Sequence, residues 1–293
     1  MSILVEGQSV EAAAGAVISD VLQQALSGKK YKSLVAARAV CPDEQGGPRL
    51  MDLSAPVPGG CTELVPVPAD SPEGLVILRH STAHVMAAAV KKLFPAAKVT
   101  IGPAIDNGFY YDFSVEKPFS SDDFEAIEAE MRKIADARLP FTCRAVSKAE
   151  AVRLFRDMGE DFKVEIIEDI DADSVTLYTC GDFCDLCRGP HVPHTGFAHA
   201  AKLLSEAGAY WRGDEKNPML SRLYGTAFAD EKALKAYLQQ LEEAKRRDHR
   251  KLGRELGFFT FHEDVAPGMV FWLPKGMLLR TILEDFWRRE RLK

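Results

Sequence analysis

Four residues in this chain have the types and spacing to act together: His80 with His84, and Cys187 with His191, each pair four positions apart. His80 and His84 sit in a stretch of good helix formers, Arg-His-Ser-Thr-Ala-His-Val-Met-Ala-Ala-Ala-Val from 79 to 90. On a helix, residues four apart share a face, so both imidazoles point at one place. Cys187 and His191 enclose Arg188, Gly189 and Pro190, a composition that excludes regular helix and predicts a rigid loop aiming a thiol and an imidazole together. Three imidazoles and a thiol converging on a cleft suit hydrolysis or metal binding better than a solvated surface.

Positioning these groups requires ordered elements on both sides. Residues 1–65 read as a small α+β unit: a hairpin-like start over 3–10, then a helical pattern through Ala14, Val17, Ile18, Val21, Leu22, Ala25 and Leu26 that Gly28 ends. Residues 33–40 and 61–67 read as strands, and 66–74, rich in Pro, Ser, Asp and Gly, as a linker. The next part, 66–228, opens with the His80/His84 helix. It continues with a hairpin over 99–113 turning at Asn107-Gly108, a helix capped by Ser121 and running to 136, another over 148–158, and a strand over 173–180 leading into the Cys/His loop. Residues 229–256 read as one long linker helix whose basic stretch, 245–251, is either a solvated face or a surface for RNA phosphates. From 257 to 293 the chain turns apolar and aromatic, as a strand and an amphipathic helix that open a further domain.

Composition narrows the class. With 46% hydrophobic and 27% charged residues the 293-residue chain reads as a soluble globular protein of two or three domains. No apolar run approaches the ~20 residues of a membrane span, and the N-terminus has no secretory pattern. Six cysteines are too few for a disulfide framework in a chain this long, and the clustering of Cys180, Cys184 and Cys187 predicts a reduced, cytoplasmic site. A net charge of −6 argues against non-specific nucleic-acid binding by the whole chain, and neither DNA nor a membrane is an expected partner.

Arg-His-Ser-Thr-Ala-His (79–84), Gly-Phe-Tyr-Tyr-Asp-Phe (108–113), Asp-Leu-Cys-Arg-Gly-Pro-His-Val-Pro (185–193), Gly-Ala-Tyr-Trp-Arg-Gly-Asp (208–214) and Leu-Ser-Arg-Leu-Tyr-Gly-Thr-Ala-Phe (220–228) closely resemble the amino-terminal editing region of bacterial-type threonyl-tRNA synthetases. The linker and Ala-Pro-Gly-Met-Val-Phe-Trp (266–272) extend the likeness, and residues 1–65 resemble the ubiquitin-like β-grasp (TGS) domain that precedes the editing domain in that family. The resemblance implies an α+β fold: a TGS domain at 1–65, an editing domain at 66–228, a linker helix at 229–256, and the start of a class II core at 257–293. The ATP site, the structural zinc and the aminoacylation of tRNA(Thr) would belong to the missing remainder, and the family's homodimer forms through that core. The expected activity is therefore hydrolysis of serine wrongly esterified to tRNA(Thr). The resemblance also implies roles: His80, His84, Cys187 and His191 lining the pocket, Lys163 positioning or activating water, Asp185 holding the serine hydroxyl and amino group, and Tyr110 or Tyr111 touching the substrate. Arg246, Arg247, Arg250 and Lys251 are the candidates for tRNA contact.

The chemistry explains why such a site is needed. A synthetic pocket separates threonine from serine only by one methyl, about 1–3 kcal/mol or roughly 10–200-fold, so a second site must remove the smaller product. An aminoacyl ester is already activated; the site needs a positioned water, a proton acceptor and donors for the developing oxyanion. Neutral imidazoles suit the acceptor role. Zinc at His80, His84, Cys187 and His191 stays open, as does a knuckle built on Cys180, Cys184 and Cys187. So do a plain surface role for Lys163 at a strand start, a non-catalytic tRNA-binding or regulatory module, and a metal-dependent hydrolase of another substrate. The apolar side chains of the last segment, Phe271, Trp272, Leu279, Phe286 and Trp287, are expected to be partly exposed and to favour self-association.

Overall fold

Ile3 and Val5 alternate with exposed neighbours along the first strand, the two-residue period of a sheet with one face buried. The computed structural model describes residues 1–13, 15–42 and 47–293; Ala14, the first position of the expected helical pattern, lies outside them. Strands β1 (Ser2–Val5) and β2 (Gln8–Glu11) form the expected hairpin. Helix α1 (Ile18–Ala25) buries Ile18, Val21 and Leu22. Gly28 does not end the helical region but begins a short second helix, α2 (Gly28–Lys32). Strands β3 (Leu34–Val40), β4 (Arg49–Met51) and β5 (Glu63–Pro68) complete a five-stranded sheet in the order β2-β1-β5-β3-β4, with β1 and β5 parallel at its centre. A helix gripped by such a mixed sheet is the β-grasp arrangement, and it has its own core of Ile3, Val5, Ile18, Leu22, Leu34 and Leu64.

The expected 66–74 linker is much shorter. β5 runs to Pro68, and helix α3 (Pro72–Leu93) starts four residues later, capped by Ser71 Oγ on the Gly74 amide at 3.0 Å with Pro72 in its first turn. Gly74 is inside the helix: a Cβ there would stand 1.9 Å from the Pro68 carbonyl, so only glycine lets α3 close onto β5. α3 is buried along most of its length, Ile77, Leu78, Val85, Met86 and Val90 included, which makes it the axis of the next region.

Around it stand two sheets. One follows β12 (Ala201–Tyr210), β13 (Met219–Ala227), β8 (Gly108–Ser114) and β6 (Lys98–Val99), with β7 (Ala104–Ile105) paired to β8. Ile105 pairs with Gly108, so the turn residues are Asp106 and Asn107, one position earlier than expected. The other is antiparallel, in the order β11 (Phe183–Leu186), β10 (Ser174–Cys180), β9 (Phe141–Ser147). Helix α4 (Phe124–Asp136) follows a single 3₁₀ turn capped by Ser120, not Ser121, in a reciprocal box with Asp123. Helix α5 (Lys148–Asp157) is capped by Ser147 as the pattern 148–158 implied. Residues 161–169 form a further helix, α6 (Asp161–Asp169), which carries Lys163 and replaces the strand start considered above.

The chain divides into two compact units, residues 1–234 and 235–293. The expected single helix 229–256 is two: α7 (Glu231–Arg246), and α8 (His249–Glu255), restarted by Asp248, whose side chain accepts from the Arg250 amide at 2.8 Å. Strands β14 (Phe259–Thr260) and β15 (Phe271–Trp272) and helix α9 (Pro274–Arg291) complete the second unit. Trp272, Leu279, Phe286 and Trp287 are exposed and Phe271 is half-buried, in line with the expectation for this segment. Among the described residues no helix is long and apolar enough to cross a membrane.

Candidate active site

His80 and His84 project from one face of α3 with ring centroids 4.9 Å apart. Opposite them, β11 ends at Leu186 and the chain turns through Cys187–His191 without helix or strand. Thr176 on β10 anchors the near end of this loop: its carbonyl accepts from the Cys187 amide at 3.1 Å, and its hydroxyl donates to the Cys187 carbonyl. Gly189 sits at φ +67°, and a Cβ there would lie 2.0 Å from the Tyr178 hydroxyl, so both the turn and the packing require glycine. Cys187 Sγ then lies 2.9 Å from His80 Nε2 and 3.2 Å from His191 Nε2.

Hydrogen bonds fix the tautomer of His191. Ser81, one residue after His80, donates its single hydroxyl hydrogen to the Ile77 carbonyl at 2.8 Å and accepts the Val192 amide at 3.0 Å. His191 Nδ1, 3.0 Å from the same oxygen, must therefore carry a hydrogen and donate it. Its Nε2 is left as an acceptor facing Cys187. Phe141 stacks on the ring at 4.7 Å and 2°. Burial holds His84 and His191 well below the ordinary imidazole pKa and His80 below it as well, so all three are neutral at pH 7. Burial also pushes the Cys187 thiol up to about 12. The sulfur is a protonated thiol, with one hydrogen to share between two imidazoles.

Beside this cluster is a second, charged group. Asp185, on β11, pairs through Oδ1 with Lys163 of α6 and accepts the Tyr111 hydroxyl through Oδ2 at 2.6 Å. Lys163 Nζ donates to the same Tyr111 oxygen at 3.1 Å, and Leu186 N–H donates to Asp185 at 2.8 Å. Lys163 is 2% exposed, Asp185 1% and Tyr111 0%. An ion pair this dry needs further hydrogen bonds, and the Tyr111 hydroxyl and the Leu186 amide supply them here. Burial and the neighbouring carboxylate raise the Tyr111 pKa well above its ordinary value, so Tyr111 is a donor. His84 Nδ1 is 3.6 Å from Asp185 Oδ2 and links the two groups.

Residues of both groups line one cavity of about 640 Å³. His80, His84, Lys163, Asp185 and Cys187 line it, while Ile101, Pro103, Ile166, Ile170 and Val175 form its apolar walls. His191 does not line it as expected: it lies behind the others, 1% exposed, where Ser81 and Phe141 hold it. The two tyrosines separate by strand alternation. Tyr111 faces the site; Tyr110 faces away, stacked under the Arg222 guanidinium at 3.9 Å and against Tyr224. Arg246, Arg247, Arg250 and Lys251 belong to α7, α8 and the link between them; all four are exposed and each is matched with an acid of the same segment, Glu243, Asp248 or Glu255.

The donor atoms of His80, His84, Cys187 and His191 lie within 4.8 Å of one another, a set that could bind a metal. Neither Cys180 nor Cys184 belongs to this group, so no knuckle forms: Cys180 is buried opposite Phe183, and Cys184 pairs with Thr179. In donor chemistry the set suits zinc. In spacing, nitrogen and sulfur around tetrahedral zinc stand about 3.5 Å apart. The 2.9 and 3.2 Å separations here are shorter than that, so a metal would have to open them and remove the thiol proton.

Residues beyond the sequence reading also take part. Ser81 sets the His191 tautomer, and Asp52 and Tyr178 support the loop. Only Ser81, adjacent to His80, carried any positional hint.

A family profile described as the threonyl and alanyl tRNA synthetase second additional domain matches residues 175–224, from β10 through the Cys/His loop to β13. The threonine–tRNA ligase of Desulfovibrio desulfuricans is 73% identical over all 293 residues, which make up 45% of its length. That of Nitratidesulfovibrio vulgaris strain DP4 is 65% identical over the whole chain and 44% of its own length. That of Lawsonia intracellularis is 61% identical over 83% of the chain and 38% of its own length. The chain thus spans a little under half the length of the relatives it matches. The chain is thus similar from end to end to part of the threonine–tRNA ligases, and the matched profile carries the Asp185 and Cys187 side of the cavity.

Proposed function

We propose that this chain is the amino-terminal, proofreading part of a cytoplasmic threonine–tRNA ligase and hydrolyses Ser-tRNA(Thr). The observation that carries the reading is that neutral imidazoles, a protonated thiol and the Lys163–Asp185 pair line one cavity. The parts would be a TGS domain at 1–65, the editing domain at 66–228, a linker at 229–256, here bent into two helices, and the start of the class II core from 257. Aminoacylation with threonine and ATP, the structural zinc and the homodimer would belong to the remainder.

In this reading the seryl ester enters with its amino and hydroxyl groups toward Asp185. A water between Lys163 and the cavity-lining imidazoles attacks the ester carbonyl. His80 or His84 takes its proton, Lys163 stabilises the tetrahedral oxyanion while Tyr111 holds Asp185 in place, and the proton passes to the departing ribose oxygen as serine leaves. Neutral histidines are required for the acceptor role, and burial keeps them neutral. A thiol held near pKa 12 is a poor nucleophile, so Cys187 shapes and orients the cluster and forms no acyl intermediate. The surface arginines of α7 and α8 serve tRNA contact in this scheme, after exchanging their acid partners for phosphates.

A second reading follows from the donor set: zinc bound there would activate water itself. Deacylation of Ser-tRNA(Thr) and Thr-tRNA(Thr), with and without a chelator, separates the two. Serine-selective hydrolysis that survives chelation is expected, and a chelator-sensitive rate would favour zinc. The proofreading reading fails if the chain works no faster than its His80→Ala/Cys187→Ala variant; tRNA binding without turnover would leave a binding module.

A further inference from the structure

We infer that Asp52, supplied by the amino-terminal β-grasp sheet, is a positioning residue for the Cys187–His191 loop; its catalytic consequence rests on the proofreading reading above. Asp52 directly follows β4, and its own backbone is fixed: its carbonyl accepts the Ala55 amide at 3.1 Å, and the next residue, Leu53, accepts the Ser19 amide at 2.8 Å. From this mount the carboxylate reaches the other side of the unit. Oδ1 accepts the backbone amide of His191 at 2.7 Å, across 139 positions of sequence, and Oδ2 accepts the Tyr178 hydroxyl at 2.6 Å. Tyr178 packs on the His191 ring at 4.5 Å and against Gly189. One side chain therefore ties down both the backbone at the far end of the loop and the ring that the loop folds over.

The near end of the loop is anchored by Thr176 and the His191 ring by Ser81, both within the region around α3. The anchor at the His191 amide comes from the first sheet. Without it the loop would swing about its Gly189-Pro190 segment, and the Cys187 sulfur would drift from the 2.9 and 3.2 Å contacts that order the imidazoles. Small displacements of that kind are costly in a preorganised site. Asp52 touches neither the cavity nor any group assigned to the reaction except through the His191 backbone, so it acts on turnover and not on substrate binding.

The test uses the full chain with Asp52→Ala, Asp52→Asn and Tyr178→Phe, read by deacylation kinetics and by hydrogen exchange of the peptide containing His191. Asp52→Ala is expected to lower kcat for Ser-tRNA(Thr) about 10- to 100-fold. KM should stay within about twofold, and exchange at the His191 amide should rise at least about tenfold. Asn keeps an acceptor for the amide and gives a donor to Tyr178, so Asp52→Asn should restore both readouts; Tyr178→Phe, which removes one bond of two, should show a smaller loss of the same kind. Unchanged exchange in Asp52→Ala, faster exchange with unchanged kcat, or a rise in KM alone overturns the assignment. If Asp52→Ala fails to fold, loss of protection in Tyr178→Phe with retention in Asp52→Asn supports it, and the reverse overturns it. An inactive wild-type chain would sink the proofreading reading, while exchange would still decide whether Asp52 holds the loop.

Discussion

At the residue scale, the thiol of Cys187 is the group whose role is easiest to misread. Cysteine beside histidine suggests a nucleophile, yet activation requires a lowered pKa, and burial here raises it to about 12. Its work is to tie two imidazoles together through one sulfur. Serine can do the same with a smaller atom, so Cys187→Ser should keep deacylation within about tenfold of wild type, whereas Cys187→Ala should lose about 100-fold or more. Rapid-quench measurements should show no burst of acylated protein. A burst, or serine as inactive as alanine, would restore the nucleophile or the metal-ligand role. The His80/His84 pair was legible because spacing of four on a helix is read directly as direction, and Cys187 with His191 because Gly189 and Pro190 mark a tight loop between them. Lys163, Asp185 and the Tyr110/Tyr111 choice came only through resemblance, and which ring faces inward needed the strand register. Asp52 and Tyr178 were invisible: nothing in a sequence marks a contact made across 139 or 126 positions.

At the element scale, the lysine arrives on the least self-sufficient helix around the cavity. α6 has nine residues, too few to persist alone in water. It is pinned at its start by Glu160, which accepts the Val99 amide at 2.8 Å and pairs with Lys91 at 2.7 Å. The turn between β12 and β13 braces its outer side: Trp211 donates from Nε1 to Glu165 at 3.2 Å and packs edge-on against Phe162, and Arg212 pairs with Glu165 and Asp169. Trp211→Ala removes a large buried side chain, and a loss of about 3–5 kcal/mol is expected from urea unfolding. Hydrogen exchange should concentrate the loosening in α6, and deacylation should fall because Lys163 moves with it. A uniform destabilisation that leaves α6 as protected as in wild type would show that the brace does not hold the helix. None of this was legible beforehand. Residues 161–169 alternate polar and apolar types ambiguously, and only packing resolves them as helix. The break between α7 and α8 escaped for a related reason: Lys, Arg and Asp continue a helical pattern on paper, whereas Asp248 caps a new helix instead. Strands β1, β2, β3 and β5 and the body of α3 were legible from their periods, whereas β4 and the Ser71 start of α3 were not.

At the scale of the whole molecule, keeping three neutral imidazoles in one dry cluster makes the first unit sensitive to acid. Folding removes His80, His84 and His191 from water, and their folded pKa values fall below the 6.5 of an exposed imidazole, most strongly for His84 and His191. The sign follows from proton counting. Above pH 6.5 both states hold the rings neutral and nothing changes. Below it the unfolded chain takes up protons that the folded one refuses, so stability falls as the pH drops from about 6.5 toward the depressed folded values. The slope reaches about 1.4 kcal/mol per pH unit for each imidazole involved. Asp52 works the other way, because burial raises its pKa and the folded carboxyl gains a proton before the unfolded one, but that effect extends upward only from the ordinary carboxylate range. Urea midpoints should therefore fall between about pH 7 and about pH 5.5, and His84→Gln, which removes one of the most deeply buried rings, should flatten that dependence by about one proton. A midpoint that does not move over that range, or the same slope in both proteins, would mean that the rings admit water and protons while folded, and that burial is not what keeps the proofreading acceptor neutral.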